Sequence, residues 1–171
     1  MRKSFFLGAA LAGSIALTAA AGPDKAKEPT DYLSMPLNPD GSDTPYRIHQ
    51  EIDFTVSLQR IYQALIDPKQ FASFSGRPAT IDNKAGGMFS LFDGHITGRN
   101  IELVPNERIV QAWRASDWPE GVYSIAKFEL QTNGPRTRLV FDQTGFPEGL
   151  HDHLTEGWES NYWSLLKKYL K

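Results

Sequence analysis

Few residues in this chain have the types and spacing for bond-making chemistry. His151 and His153 flank Asp152, with Glu156 three residues beyond. A helical zinc pair places its histidines four apart on one side of the helix, and a spacing of two splits them. They read as solvated residues at a helix start, where Asp152 complements the helix dipole. His49 and His95 have no second ligand nearby in sequence. The absence of cysteine rules out disulfides, thiol nucleophiles and thiolate metal sites together. No Gly-x-Ser-x-Gly elbow, phosphate loop or dinucleotide fingerprint occurs, and the glycines of Gly94–Gly98 read as hairpin residues. Glu107, Glu129 and Asp142 are spread along strands without an evident pair. No catalytic residue, metal or cofactor is assigned.

Binding chemistry is easier to place. By strand alternation Trp113 shares a face with Ile109, Gln111 and Ala115, and the neighbouring strand puts Ser124 and Ala126 beside Phe128. Large residues next to small ones are what a sheet needs when it leaves space beneath a helix. Ordinary core packing around a small void would give the same pattern. The candidate ligand-binding residues are Trp113, Gln111 and Phe128 on strands, with Trp158 and Tyr162 on a helix. Arg114 is a further polar candidate.

These residues depend on a regular order of elements. Tyr46–Val56 alternates with period two, as a half-buried strand does. Ser57 can cap a helix carrying Ile61, Tyr62, Leu65 and Ile66, and Asp67-Pro68 ends it and opens a second short helix with Phe71 and Phe74. Strands are then expected at Ala79–Asp82, Met88–Phe92, His95–Leu103, Arg108–Arg114, Val122–Leu130 and Thr137–Thr144, joined by hairpin turns. A last helix covers about Leu150 to Leu170. At 100° per residue, Leu150, Leu154, Trp158, Tyr162, Leu165 and Tyr169 form its apolar stripe, and Trp163 falls nearly opposite. Trp163 is then either covered by a sheet edge or tail, or an exposed aromatic. Gly157 within that helix predicts close approach to another backbone.

The first 45 residues are of a different kind. Met1–Ser4 is basic, Phe5–Leu17 is apolar and Thr18–Gly22 is small, the three-part pattern of a secretory signal peptide over 1–21. Its apolar run of about 13 residues is short of the roughly 20 needed to span a bilayer. Five prolines make 22–45 a linker or surface-hugging tail, which Tyr32, Leu33, Met35 and Leu37 could pin to the domain. A periplasmic or secreted protein is expected, with no stable membrane span after cleavage. The folded domain is 46–171. With 171 residues, 40% of them hydrophobic and 22% charged, and a net charge of −2, the chain is an ordinary globular one with no basic footprint for nucleic acid.

Strand, two short helices, six strands and a long amphipathic helix is the order of an α+β helix-grip fold. With Pro105–Arg114, Trp118-Pro119-Glu120-Gly121, Gln143–Pro147 and Gly157-Trp158 in sequence, the chain resembles the START-like (SRPBCC) superfamily. It is most similar to the branch of the C-terminal domain of the activator of the heat-shock protein 90 ATPase. The resemblance implies a curved antiparallel sheet of about seven strands gripping the last helix, with a pocket between them. Members bind lipids, polyketides and other hydrophobic molecules, and a minority catalyse cyclisations or hydrolyses. Three functions follow: an exported, non-enzymatic carrier of a small hydrophobic molecule, a cyclase- or hydrolase-type enzyme, or a chaperone-activator-like interaction module. An exported protein would not meet the cytosolic chaperone, so the carrier comes first.

Overall fold

The computed structural model describes residues 46–171. The expected signal peptide, 1–21, and the proline-rich segment, 22–45, lie outside these residues. β1 (Arg47–Phe54) is followed by α1 (Leu58–Ile66) and α2 (Pro68–Ser75). Ser57 Oγ accepts from the Arg60 amide at the start of α1, and Asp67 Oδ1 accepts from the Lys69 and Gln70 amides at the start of α2. Pro68 sits in the first turn of α2, where its missing N–H is no loss.

Six further strands follow: β2 (Thr80–Ile81), β3 (Met88–Leu91), β4 (Ile96–Val104), β5 (Arg108–Ala115), β6 (Ser124–Asn133) and β7 (Arg136–Thr144). They form one antiparallel sheet in the order β1-β7-β6-β5-β4-β3-β2. The expected alternation holds, since Ile109, Gln111, Trp113 and Ala115 face inward from β5. Opposite them on β6 stand Phe128, Ala126 and Ser124 in register with Ile109, Gln111 and Trp113. On β4, Gly98 is required by packing: a Cβ there would collide with the Phe89 ring and with Ala112 O. It is therefore a strand residue under an aromatic lid rather than a hairpin glycine.

β3 ends one residue earlier than the alternation predicts. Phe92, Asp93 and Gly94 all have positive φ (54°, 59° and 85°), and they turn the chain into β4. An aromatic residue rarely adopts this conformation. Phe92 is held in it by edge contacts to Phe71 and Tyr162, with centroids at 5.4 and 5.3 Å.

The C-terminal helix is the largest departure from expectation. It consists of α3 (His151–Trp158), a π-helical turn (Glu159–Trp163) and α4 (Ser164–Tyr169). A π turn holds one more residue than an α turn, so every later side chain rotates back by about one position. Leu154, Trp158 and Tyr162 are buried as the stripe predicts, but Leu166 and Leu170 then replace Leu165 and Tyr169. The same turn brings Trp163 into the core, where it is fully buried and stacked 5.5 Å from Trp158. The open question about Trp163 is thereby decided for burial.

Candidate functional site

Between the C-terminal helix and the inner face of β4 and β5 lies a cavity of about 320 Å³. The helix contributes one face at helical spacing, including Leu150, Leu154, Trp158 and Tyr162. Ile96, Trp113 and Ala115 close the sheet side, and Phe92 and Trp118 come from the loops at the strand ends. The ionisable groups Arg77, His95, Asp117 and His153 are all solvent-exposed and stand at its mouth. Its inner wall is aromatic and aliphatic.

Of the five predicted binding residues, Trp113, Trp158 and Tyr162 converge on this cavity. Gln111 and Phe128 do not. They border a separate void of about 10 Å³, beneath Leu65 and Phe71, in which Tyr162 is the shared wall. Gln111 is instead part of the framework: its Nε2 donates to Asn100 Oδ1 at 3.0 Å, and Asn100 Nδ2 donates to Asp82 O at 2.9 Å. Arg114 lies on the alternate face of β5, where Nη2 donates to Trp118 O at 2.7 Å and fixes the loop that carries Trp118. Trp118 in turn packs edge-on against Trp113 at 5.5 Å.

Alternation and helical spacing missed Phe92, Ile96, Trp118 and Gly157 as cavity residues. The i, i+3, i+4, i+7 run from Leu150 through His153, Leu154 and Gly157 was the signal that could have found the helix side. Gly157 also departs from its predicted role. A Cβ at this position would meet no atom within 4 Å, so the glycine widens the cavity wall and serves no close backbone approach.

Buried polar groups lock helix to sheet beside the cavity. Trp158 Nε1 donates to Gln143 Oε1 at 2.6 Å, Gln143 Nε2 donates to Ser124 Oγ at 2.8 Å, and Ser124 Oγ donates to Trp113 O at 3.0 Å. All three side chains are buried, so each hydrogen bond replaces water that the core excludes. A second lock joins Trp163 Nε1 to Gln50 Oε1 on β1 at 2.7 Å. Trp113 Nε1 is different. It is buried without an acceptor in bonding geometry, although it lies near enough to the Tyr162 phenol to influence it. Burial pushes the Tyr162 phenol far above its ordinary range, with the Trp113 N–H opposing the rise. Tyr162 therefore stays a neutral hydroxyl at any physiological pH.

Apart from Asp117 at the mouth, no carboxylate among the described residues lines the cavity. Asp142, on the outer face of the sheet, accepts from Arg47 Nε (3.1 Å) and from His49 Nδ1 (2.8 Å), with Lys127 Nζ at 3.3 Å. Burial alone would raise its pKa, but these partners outweigh burial and hold it below the ordinary carboxylate range. Glu129 pairs with Lys127, and Glu107 lies beside Arg108. His151 Nδ1 lies 2.9 Å from Asp152 Oδ1, while His153 is exposed at the cavity mouth. Among the described residues no group of three or more His, Asp or Glu could hold a metal ion.

A seven-stranded antiparallel sheet curved around a long C-terminal helix, with a cavity between them, defines a helix-grip protein of the START-like (SRPBCC) class. Within it, the family described as "Activator of Hsp90 ATPase homolog 1-like protein" matches residues 55–171, and the chain belongs to that family. An activator of 90 kDa heat shock protein ATPase homolog from Dictyostelium discoideum is 33% identical over 116 residues, covering 67% of this chain and 30% of the relative. The human activator homolog 1 is 28% identical over 115 residues, covering 67% and 34%. The chain thus spans about a third of the length of these curated relatives. Among solved structures, an HSP90 activator from Plasmodium falciparum superposes with a TM-score of 0.70 at 26% identity, covering 73% of this chain and 96% of that one.

Proposed function

We propose that this domain is a non-enzymatic receptor for a small hydrophobic molecule, held between the C-terminal helix and the sheet, in a protein exported by its N-terminal signal peptide. The observation that carries the reading is the cavity itself. Its volume of about 320 Å³ is at the lower end of ligand-sized pockets, and its inner wall offers aromatic surface and no ionised group. A cyclase or hydrolase would need an acid or base held against the bound molecule, whereas His95, Asp117 and His153 stand solvent-exposed at the mouth and Asp142 lies on the outer face of the sheet.

The test is titration with a hydrophobic fluorescent probe such as anilinonaphthalene sulfonate, followed by tryptophan emission. Saturable binding is expected in the wild type. It should be abolished in Trp113→Ala while the circular dichroism of the fold is retained. Absence of saturable binding to the wild type removes the receptor reading. Export predicts a mature protein beginning near Gly22, and a full-length cytosolic product would overturn that part.

A chaperone-activator role is the second reading, favoured by the relatives and by an exposed apolar area on the outer sheet face. Met88, Tyr123 and Ile125 are between 42% and 65% exposed there. Met88 and Ile125 lie in one cross-strand row with Arg99 and Ala112. Trp118 and Trp163, the aromatics that could have formed an exposed docking patch, are both buried. Stimulation of a purified heat-shock protein 90 ATPase by the isolated chain would establish this role.

A further inference from the structure

β1 stands at one end of the sheet, with β7 as its neighbour. It is 8 residues long, whereas β2, at the other end, has 2. Among the described residues no element other than β7 makes a backbone hydrogen bond to its main chain. A long sheet edge invites a further strand, and proteins commonly discourage one by placing charges along it. β1 carries such charges, in an order that selects one partner.

The inner face of β1 presents Ile48, Gln50, Ile52 and Phe54 to the core, and Gln50 is held there by Trp163 Nε1 and Thr155 O. Its outer face reads Arg47, His49, Glu51, Asp53, basic in the first half and acidic in the second. About Gln50 the strand is complementary to itself. An antiparallel copy centred there sets Arg47 opposite Asp53, His49 opposite Glu51 and Ile48 opposite Ile52, each pairing occurring twice. Opposite charges directly across a strand pair stabilise it, and like charges oppose it. Sliding the copy by two residues sets Glu51 against Glu51 in one direction and His49 against His49 in the other. A slip of one residue turns the inner face of one sheet outward.

The charges need not abandon the partners they already have. Arg47 Nε donates to Asp142 at 3.1 Å, and Arg138 donates to Glu51 at 2.7 Å and to Asp53 at 3.0 Å. A second copy extends these pairs into rows of alternating sign. One row runs Lys127, Asp142, His49 and then Glu51 of the copy; the other runs Arg47 and then Asp53 and Arg138 of the copy. All of these side chains are on the outer face, so the cavity is not engaged.

We propose that β1 is a docking edge for a second copy of this chain. The two β1 strands pair antiparallel about a twofold axis at Gln50 and continue two seven-stranded sheets as one. This interface is independent of what the cavity holds.

The experiment measures sedimentation of the full chain from micromolar to millimolar concentration, with amide hydrogen exchange along β1. The wild type should dimerise, and more weakly at high salt. Asp53→Arg sets arginine against Arg47 of the copy, and Arg47→Asp sets aspartate against Asp53. Each variant alone should dimerise at least about tenfold more weakly. An equal mixture of the two restores both pairings and should form heterodimers with near wild-type affinity, a rescue that damage within one chain cannot produce. Alternate β1 amides, those turned away from β7, should exchange more slowly as the dimer fraction rises. A wild-type monomer throughout the range overturns the proposal. So does a dimer that both variants leave unchanged, which places the contact elsewhere, or a mixture that stays monomeric. Equal protection of those amides at every concentration shows that residues 22–45 cover the edge, and it also overturns the proposal. Should the variants fail to fold by circular dichroism, exchange in the wild type decides the matter alone.

Discussion

Replacing Gly157 with alanine separates two explanations of one residue. If glycine is present because another backbone approaches it, any Cβ is a collision and the variant loses stability. The structure argues the opposite: the added methyl meets no atom within 4 Å, and the residue lies inside α3 with helical backbone angles. The remaining effect is helix propensity, which favours alanine over glycine by about 1 kcal/mol. For a domain of this size that raises the melting temperature by roughly 3–5 °C. Thermal unfolding followed by circular dichroism at matched pH measures it. Gly157→Leu provides the second arm, because a branched side chain started from the cavity wall competes with the ligand for a space of about 320 Å³. That variant should fold with at least wild-type stability and bind a hydrophobic probe at least tenfold more weakly. A fall in stability for Gly157→Ala would refute the reasoning, since it would show that the wall at Gly157 is closed. Unchanged probe affinity in Gly157→Leu would show that the cavity is not where the probe binds.

Three other outcomes are expected. Gln143→Met removes the link between Trp158 Nε1 and Ser124 Oγ in the dry core, and should lower unfolding stability by about 2 kcal/mol with an unchanged denaturant slope. Asp142→Asn should cost about 2 kcal/mol near neutral pH, because Arg47 and Lys127 lose the carboxylate they share. The folded pKa of Asp142 is depressed, so its contribution is full above the unfolded value near 3.8 and is lost as pH falls through the lower folded value. Wild type and variant should therefore converge in stability in strong acid, and a gap that stays constant down to pH 2 would show that the charge is irrelevant. Deleting Ser160, an exposed residue in the π turn, should convert the C-terminal helix to continuous α-helix while keeping Leu166 and Leu170 inward. The variant should fold, displace Tyr162 from the cavity and lose probe affinity; retention of wild-type affinity would show that the wide turn has no part in the site.

Much of the architecture was legible because it depends on local patterns. Period-two alternation placed the strand ends to within three residues, the largest miss being at the end of β6, and Ser57 and Asp67-Pro68 marked the helix boundaries through capping chemistry. The family resemblance, drawn from that order of elements, supplied the curved sheet around the last helix and the expectation of a cavity between them. The site was legible only by face. Trp113, Trp158 and Tyr162 were found because they are large residues on inward faces, but alternation could not tell that Gln111 and Phe128 face a different void two residue pairs along the same strands. That distinction depends on where the helix crosses the sheet. The π turn was invisible for a related reason: Leu165 and Leu166, and likewise Tyr169 and Leu170, are adjacent apolar pairs. Either register gives an apolar stripe, and only packing against the sheet chooses between them.

That choice connects the fold to the site. In a continuous α-helix the positions after Trp158 cannot place both Tyr162 and Trp163 inward, since neighbours in sequence are about 100° apart. The wide turn narrows that angle, so one side chain enters the cavity wall and the next reaches Gln50 on β1. Trp163 then anchors the helix to the sheet edge while Tyr162 is left facing Trp113. A π turn forgoes regular α-helical hydrogen bonding, and here Ser160 Oγ and Asn161 Nδ2 donate to the carbonyls of Glu156 and Gly157 at 2.8 and 3.1 Å to offset it. The turn thus supports two adjacent tasks, anchoring and lining, that a regular helix would have to assign to residues three or four apart.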